Sequence, residues 1–202
     1  MDAKDLQPLL EGKRWGVLVQ QCQMFELRSA SGKQAESQAV LQNAAMLMIG
    51  HMLRDDAKAA QFVWKRVPDP GRKAAPYLGS VWNLGRCLLL KDRKGFYGTV
   101  DSTKWPAPIL PLVAALRAAV RERMTALIAK AYTSIAVTSA VALLGFGGAE
   151  DAKAYCTSLS WKIDGDLIYP NRSGQKTAAG AGGLQLPELG NMSKYMQDFE
   201  MK

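Results

Sequence analysis

Thr133-Ser134-Ile135-Ala136-Val137 opens the stretch whose reading decides the fold, and Trp161-Lys162-Ile163-Asp164-Gly165-Asp166-Leu167-Ile168-Tyr169 closes it. The opening is short and β-branched, which suits a strand. Thr138 and Ser139 follow as candidate caps for a helix that runs to Leu144. Gly145 to Gly148 is a turn, and Ala149 to about Leu159 predicts a second helix with Glu150 and Asp151 in its first turn, where the dipole favours acids. In the closing segment apolar residues flank an Asp-Gly pair, a strong local signal for a tight hairpin. Strand, helix, turn, helix, hairpin is the order of a winged helix, expected over residues 133–170.

Upstream, from Asp2 to about Tyr132, the pattern is helical almost throughout. Trp15, Leu18, Val19, Cys22 and Phe25 fall on one stripe of an amphipathic helix, and Leu41, Ala44, Ala45, Met48 and Met52 repeat the logic. Ala60, Val63, Trp64 and Val67 do so again, in a helix stopped by Pro68 and Pro70. Tyr77, Val81, Leu84 and Leu88 follow, then a short helix from Asp92 to Val100. After Trp105-Pro106 comes the longest, with Leu116, Val120, Met124, Leu127, Ile128 and Ala131 on one side. Helices with single apolar stripes bury them against one another in antiparallel pairs. Residues 1–132 are therefore expected to form a mainly α, TPR-like helical array, although no strict repeat in residue identity is present.

Downstream, Asn171 to Gly183 is Gly, Ala and Ser with little to bury, so residues 171–185 read as a flexible linker. Residues 186–202 recover a helical pattern, with Leu189, Met192, Met196 and Phe199 spaced i, i+3, i+7 and i+10. A lone amphipathic helix of that length is marginal in water, and its stripe needs a partner. That partner is either the body of the same chain or helices of other chains.

The chain's chemistry excludes more than it offers. Its 202 residues are 48% hydrophobic and 22% charged, an ordinary globular balance. No apolar run approaches a membrane span, and Met1-Asp2-Ala3-Lys4-Asp5 does not begin a signal peptide, so an intracellular protein is expected. Cys22, Cys87 and Cys156 are too scattered for a zinc site or a disulfide framework and read as small buried residues. His51 is the single histidine, too few for a triad or a histidine metal site; at i+4 from it, Asp55 invites an ion pair. Gly145-Phe146-Gly147-Gly148 follows a helix, not a strand, and fails as a dinucleotide fingerprint. No enzyme activity, cofactor, metal or small-molecule substrate is therefore expected.

A formal charge of +8 raises nucleic acid as a partner, but the basic residues are spread along the chain. The helix that would read DNA leads with Glu150 and Asp151, which repel phosphate. Protein contacts through the hairpin, by edge-strand pairing, fit better. Ile163, Leu167 and Ile168 of the hairpin and Leu189, Met192, Met196 and Phe199 of the tail are the expected partner contacts. Trp64, Trp82, Tyr132 and Trp161 read as packing residues.

Helical pairs followed by a winged helix and a terminal helix resemble the PCI-domain family of the proteasome lid, the COP-nine signalosome and initiation factor 3. Within it the chain looks most like signalosome subunit 8. Ala59-Ala60-Gln61-Phe62-Val63-Trp64-Lys65-Arg66-Val67-Pro68 is similar to that family's "ARxLWKRIP" segment, and Val81-Trp82-Asn83-Leu84-Gly85-Arg86 to its "IWxxGQ" helix. Gly95-Phe96-Tyr97 and Lys104-Trp105 match further positions. Leu116-Arg117, Arg121-Glu122-Arg123 and Ala131-Tyr132-Thr133-Ser134-Ile135 resemble "ALRxxxRRR…AYTSI", and Trp161 to Asp164 resembles the "GWxxD" that opens the wing. Together these cover about Leu53 to Tyr169. Lys194 to Glu200 is similar to the family's closing helix. Departures fall at Ser29 to Gln38, at Cys87-Leu88-Leu89-Leu90 and at Asn171 to Gly183.

The resemblance implies a non-catalytic scaffold subunit held by sister subunits through the winged helix and the carboxy-terminal helix, in the nucleus and cytoplasm. The complex removes the ubiquitin-like modifier from cullins, regulating cullin–RING ubiquitin ligases, and in plants acts in light-dependent development. A paralogous subunit of the proteasome lid or of initiation factor 3 is the alternative, with a nucleic-acid-binding winged helix behind it.

Overall fold

The computed structural model describes residues 12–30 and 37–171, together with Pro8. Expectations for the linker and for Leu189, Met192, Met196 and Phe199 lie outside the described residues. The described helices are α1 (Trp15–Ala30), α2 (Gln38–Leu53), α3 (Ala57–Arg66), α4 (Asp69–Ala74), α5 (Pro76–Leu90), α6 (Arg93–Ser102) and α7 (Leu110–Ala131). Strand β1 (Ile135–Ala136), helices α8 (Val137–Leu144) and α9 (Ala149–Ser158), and strands β2 (Lys162–Asp164) and β3 (Leu167–Tyr169) complete the order. The fold is mainly helical, with one small sheet.

Helix starts follow local chemistry. Ser37, Asp56 and Asp92 each cap a helix by accepting from the backbone N–H of Val40, Ala59 and Gly95, at 3.4, 2.9 and 3.0 Å. The expected stop at Pro68 occurs, since a residue before proline is driven out of the helical region, and Val67 is extended at φ −70°, ψ 121°. Pro70 does not act as a second stop. It sits in the first turn of α4, where a missing N–H costs nothing.

Helix α2 differs from its expected single stripe. Asn43 and every residue from Ala45 to Leu53 are buried, because α1, α3, α5 and α7 all pack against this helix. Burial on all sides replaces amphipathicity. A first apolar core gathers around α2, drawing Leu18 and Cys22 from α1, Leu78, Val81 and Leu84 from α5, Phe96 from α6, and Leu112, Leu116 and Val120 from α7. At about 1.5–3 kcal/mol per large apolar side chain, this burial is the main stabilising term.

A second core holds Met124, Ile128, Ile135, Val137, Ala140, Leu144, Cys156, Trp161 and Ile168. Helix α7 therefore serves both: its residues up to Val120 face the first core and Met124 and Ile128 face the second. Two residues expected on its stripe do not belong there. Leu127 is 52% exposed and Ala131 is exposed, because at this end of the helix only the face carrying Met124 and Ile128 meets the second core.

Beyond α7 the chain follows the order β1, α8, α9, β2, β3, and the antiparallel sheet runs β1-β3-β2. Ile135 pairs with Ile168, and Ala136 with Leu167. Lys162, Ile163 and Asp164 pair with Tyr169, Ile168 and Leu167. Neither Thr138 nor Ser139 caps α8. The helix begins earlier, at Val137, with Ala136 at the cap position; instead of a side-chain cap, Val137 N–H donates to Asp166 O at 2.9 Å. Gly145 ends α8 in the left-handed region at φ 67°, the usual helix-terminating role of glycine.

Candidate interaction interface

The hairpin is built on a two-residue loop, Gly165-Asp166, since Asp164 already pairs with Leu167. Gly165 has φ 58°, and Asp166 does not share a positive φ, which is the pattern of a type II′ turn with glycine first. In such a hairpin the pair flanking the loop is hydrogen-bonded, and pairs then alternate. Asp164 and Lys162 thus bond toward β3, while the backbone N–H and C=O of Ile163 point away from it. Among the described residues β2 is an outer strand with β3 as its one strand neighbour.

Alternation also sorts the side chains. Ile168 is fully buried in the second core, whereas Leu167 and Tyr169 on either side are 41% and 37% exposed. Ile163 lies half-buried against the same core. Of the three hairpin residues expected to touch a partner, Leu167 is open to one. Ile163 offers its backbone. Ile168 is corrected to a core residue: with no accessible surface, it fastens the hairpin to the body.

Trp161 anchors the hairpin's entry. It is buried, and its backbone N–H donates to Cys156 O at 3.1 Å. The other aromatics divide. Trp64 and Trp82 stack at 6.2 Å with planes 9° apart, joining α3 to α5, and Arg72 lies 4.5 Å over the Trp64 ring. Tyr132, expected to pack, is 43% exposed because the chain leaves α7 there.

Two arginines that sequence reasoning quoted only as part of a motif hold the assembly of elements together. Arg121 on α7 donates from Nε to Leu144 O at 2.9 Å and from its terminal nitrogen to Gly145 O at 3.3 Å, closing the end of α8. Its guanidinium lies 4.2 Å over Phe146 and 6.0 Å from the Tyr155 ring. Arg123 donates to the carbonyls of Met52 (3.2 Å) and Leu53 at the end of α2, and pairs with Asp55 at 3.2 Å. Leu53 and Leu144 end their helices, where carbonyls have no partner within the helix, while Met52 O also accepts the Asp55 N–H at 3.0 Å.

The Arg123–Asp55 pair also corrects the expected His51–Asp55 contact. Asp55 sits at φ 65° and is held by Arg123, while His51 is buried with Nδ1 unpartnered. Burial holds the His51 imidazole below its usual range; nearby Asp56 works against that shift and Arg54 with it. With the folded value below the unfolded ~6.5, protons bind the unfolded chain more tightly, so this stability is complete above that value and is lost as pH falls toward and through the folded one. Urea midpoints should therefore drop on acidification from about pH 7 to about pH 5 by more in the parent chain than in His51→Leu. Equal slopes in the two proteins would remove His51 as the cause.

Cys22 and Cys156 are buried packing groups, and Cys87 is half-buried. Burial pushes Cys22 up to about 12 and raises Cys87 and Cys156 as well. Among the described residues no cluster of three His, Cys, Asp or Glu is placed to hold a metal ion, and no helix is long and apolar enough to cross a membrane. On α9, Glu150 and Asp151 are exposed in the first turn, and Glu150 pairs with Lys153 at 3.2 Å.

Comparison with known proteins adds the following. The model of the CSN8/PSMD8/EIF3K family matches residues 41–179. COP9 signalosome complex subunit 8 of Danio rerio is 32% identical over 130 residues, 63% of this chain and 68% of that protein. The Xenopus tropicalis protein of the same name is 31% identical over 147 residues, 73% of each chain. The Arabidopsis thaliana one is 28% identical over 120 residues, 59% of this chain and 60% of that protein.

Proposed function

Because the chain belongs to the CSN8/PSMD8/EIF3K family, we propose that it is a non-catalytic scaffold subunit of a COP9 signalosome. The complex would remove the ubiquitin-like modifier from cullins and so regulate cullin–RING ubiquitin ligases, in the nucleus and cytoplasm, with a developmental role if the source is a plant. This reading divides the chain into a helical region (1–132), a winged helix (133–170), a linker (171–185) and an interaction helix (186–202). Sister subunits are held through the hairpin and through Leu189, Met192, Met196 and Phe199 of that helix.

The observation that carries the proposal is the outer strand β2. Its Ile163 directs a backbone donor and acceptor away from β3, with Leu167 and Tyr169 exposed on the neighbouring strand. An unpaired strand edge is a template for another chain, and main-chain hydrogen bonds give such pairing its affinity.

Ile163→Pro removes the outward N–H yet leaves the bonds between β2 and β3, so it should weaken co-purification with sister subunits by about tenfold or more. Ile163→Ala, which keeps the N–H, separates that effect from lost packing. Deletion of residues 186–202 should likewise weaken assembly while leaving the body folded. The proposal fails if both changes leave signalosome recovery at the parent level. It fails equally if mass spectrometry of native partners returns proteasome-lid or initiation-factor 3 subunits in their place.

A further inference from the structure

A cavity of about 280 Å³ opens on the helical body between the start of α3, the end of α5 and α7. Leu88, Leu89 and Val120 give it an apolar floor, and Lys58 and Arg93 stand at its rim. The other charged groups there are already occupied. Asp55 pairs with Arg123 at 3.2 Å, and Asp56 accepts the Ala59 N–H at 2.9 Å as the cap of α3. Lys58 and Arg93 take part in no ion pair among the described residues. The positive side extends outward through exposed Arg86, Lys91 and Lys94.

The apolar side extends as well. Leu89 is 38% and Leu90 67% exposed at the end of α5, on the Cys87-Leu88-Leu89-Leu90 stretch where the sequence leaves its family's pattern. Arg86 precedes these two leucines by three and four residues, which places it beside them on the helix surface. Exposed leucine beside unneutralised lysine and arginine stabilises nothing in the chain's own fold.

We infer that this groove docks an acidic linear segment of a protein partner, with one leucine- or phenylalanine-sized side chain seated on Leu88, Leu89 and Val120 and carboxylates on Lys58 and Arg93. Charge complementarity selects the occupant. The free positive groups demand acids, and the apolar floor between them demands a side chain that a purely ionic ligand lacks. A nucleic-acid strand fits less well, because no aromatic residue among the described ones lines the cavity to stack a base. None of these residues belongs to the hairpin, so this surface and the β2 edge succeed or fail separately.

Phage display of random dodecapeptides on the full-length chain, followed by fluorescence anisotropy of the enriched peptides, tests the inference. Enriched sequences should carry several Asp or Glu around one Leu or Phe. The double variant Lys58→Glu/Arg93→Glu should bind them at least about tenfold more weakly. Both positions lie in the first turn of a helix, where acids are favoured, so the variant should keep its parent melting temperature. Leu89→Ser, which changes no charge at a half-open position, should weaken the same peptides severalfold. Absence of enrichment, enriched peptides without acidic residues, or unchanged affinity in both variants would overturn the inference. So would tighter binding of a thymidine dodecanucleotide than of any selected peptide.

Discussion

Replacing Gly145 with alanine should destabilise the protein by about 3–5 kcal/mol, a large share of the 5–15 kcal/mol that a domain of ordinary stability possesses. Two causes add. Gly145 holds φ 67°, where a side chain costs about 1–2 kcal/mol. A Cβ there would also collide with the Tyr97 ring, which is itself buried and set edge-on to Phe96 at 5.3 Å with planes 81° apart. Neither ring can retreat without opening the first core. A double-mutant cycle separates the causes, since in a Tyr97→Ala background the clash disappears and only the backbone cost of about 1–2 kcal/mol remains. Chemical denaturation of the four proteins measures it. A Gly145→Ala penalty that is the same in both backgrounds would disprove the close approach.

The second large effect is expected at Arg121. Removing its side chain leaves the carbonyls of Leu144 and Gly145 without their partner and uncovers the Phe146 ring. Hydrogen bonds from a charged donor are worth roughly 1.5–3 kcal/mol each, so Arg121→Ala should cost about 3 kcal/mol after allowance for partial exposure. Arg121→Lys should recover less than half of that, because an ammonium cannot fork to two carbonyls and lie flat on a ring. Hydrogen exchange locates the damage. Amides of α8, α9 and the hairpin should lose protection first, while α2, buried on every side, keeps it. Uniform loss across the chain would mean that Arg121 acts elsewhere than at the end of α8.

Neither of these residues announced itself in the sequence as structurally decisive. An arginine that satisfies carbonyls 23 and 24 residues away leaves no periodic trace. By contrast the hairpin was readable, because Gly165 with apolar flanks is a local signal and its turn type depends on those few residues. Most helix positions were readable for the same reason, and so was the acidic start of α9; the short α4, which starts at Asp69 beside a proline read as a stop, and the start of α8 at Val137 were not. What periodicity could not reveal was how many neighbours each helix has. The stripe assigned to α2 understated its burial, and the stripe assigned to α7 included Leu127 and Ala131, which face water beside the buried row of Met124 and Ile128. The same limit governed the interface residues: an alternating strand has two faces, and only the sheet register shows that Ile168 points inward while Leu167 points out.

The edge of β2 combined sequence and structure differently. The hairpin came from the pattern, but which backbone groups face outward depends on the two-residue loop setting the pairing of Asp164 with Leu167. A loop one residue longer would have exchanged the roles of Ile163 and its neighbours.

Helix α7, at 22 residues about 33 Å long, is the one rod on which both cores are assembled. A gene cut in the loop after Tyr132, the natural place to cut by eye, would strand Met124 and Ile128 on the wrong fragment with their oily faces in solvent. Neither half should then express as a clean soluble product, whereas a fragment beginning ahead of Leu110 carries the whole rod with it. The joint of this molecule is a solid beam, and neither of the two ends it carries is complete without it.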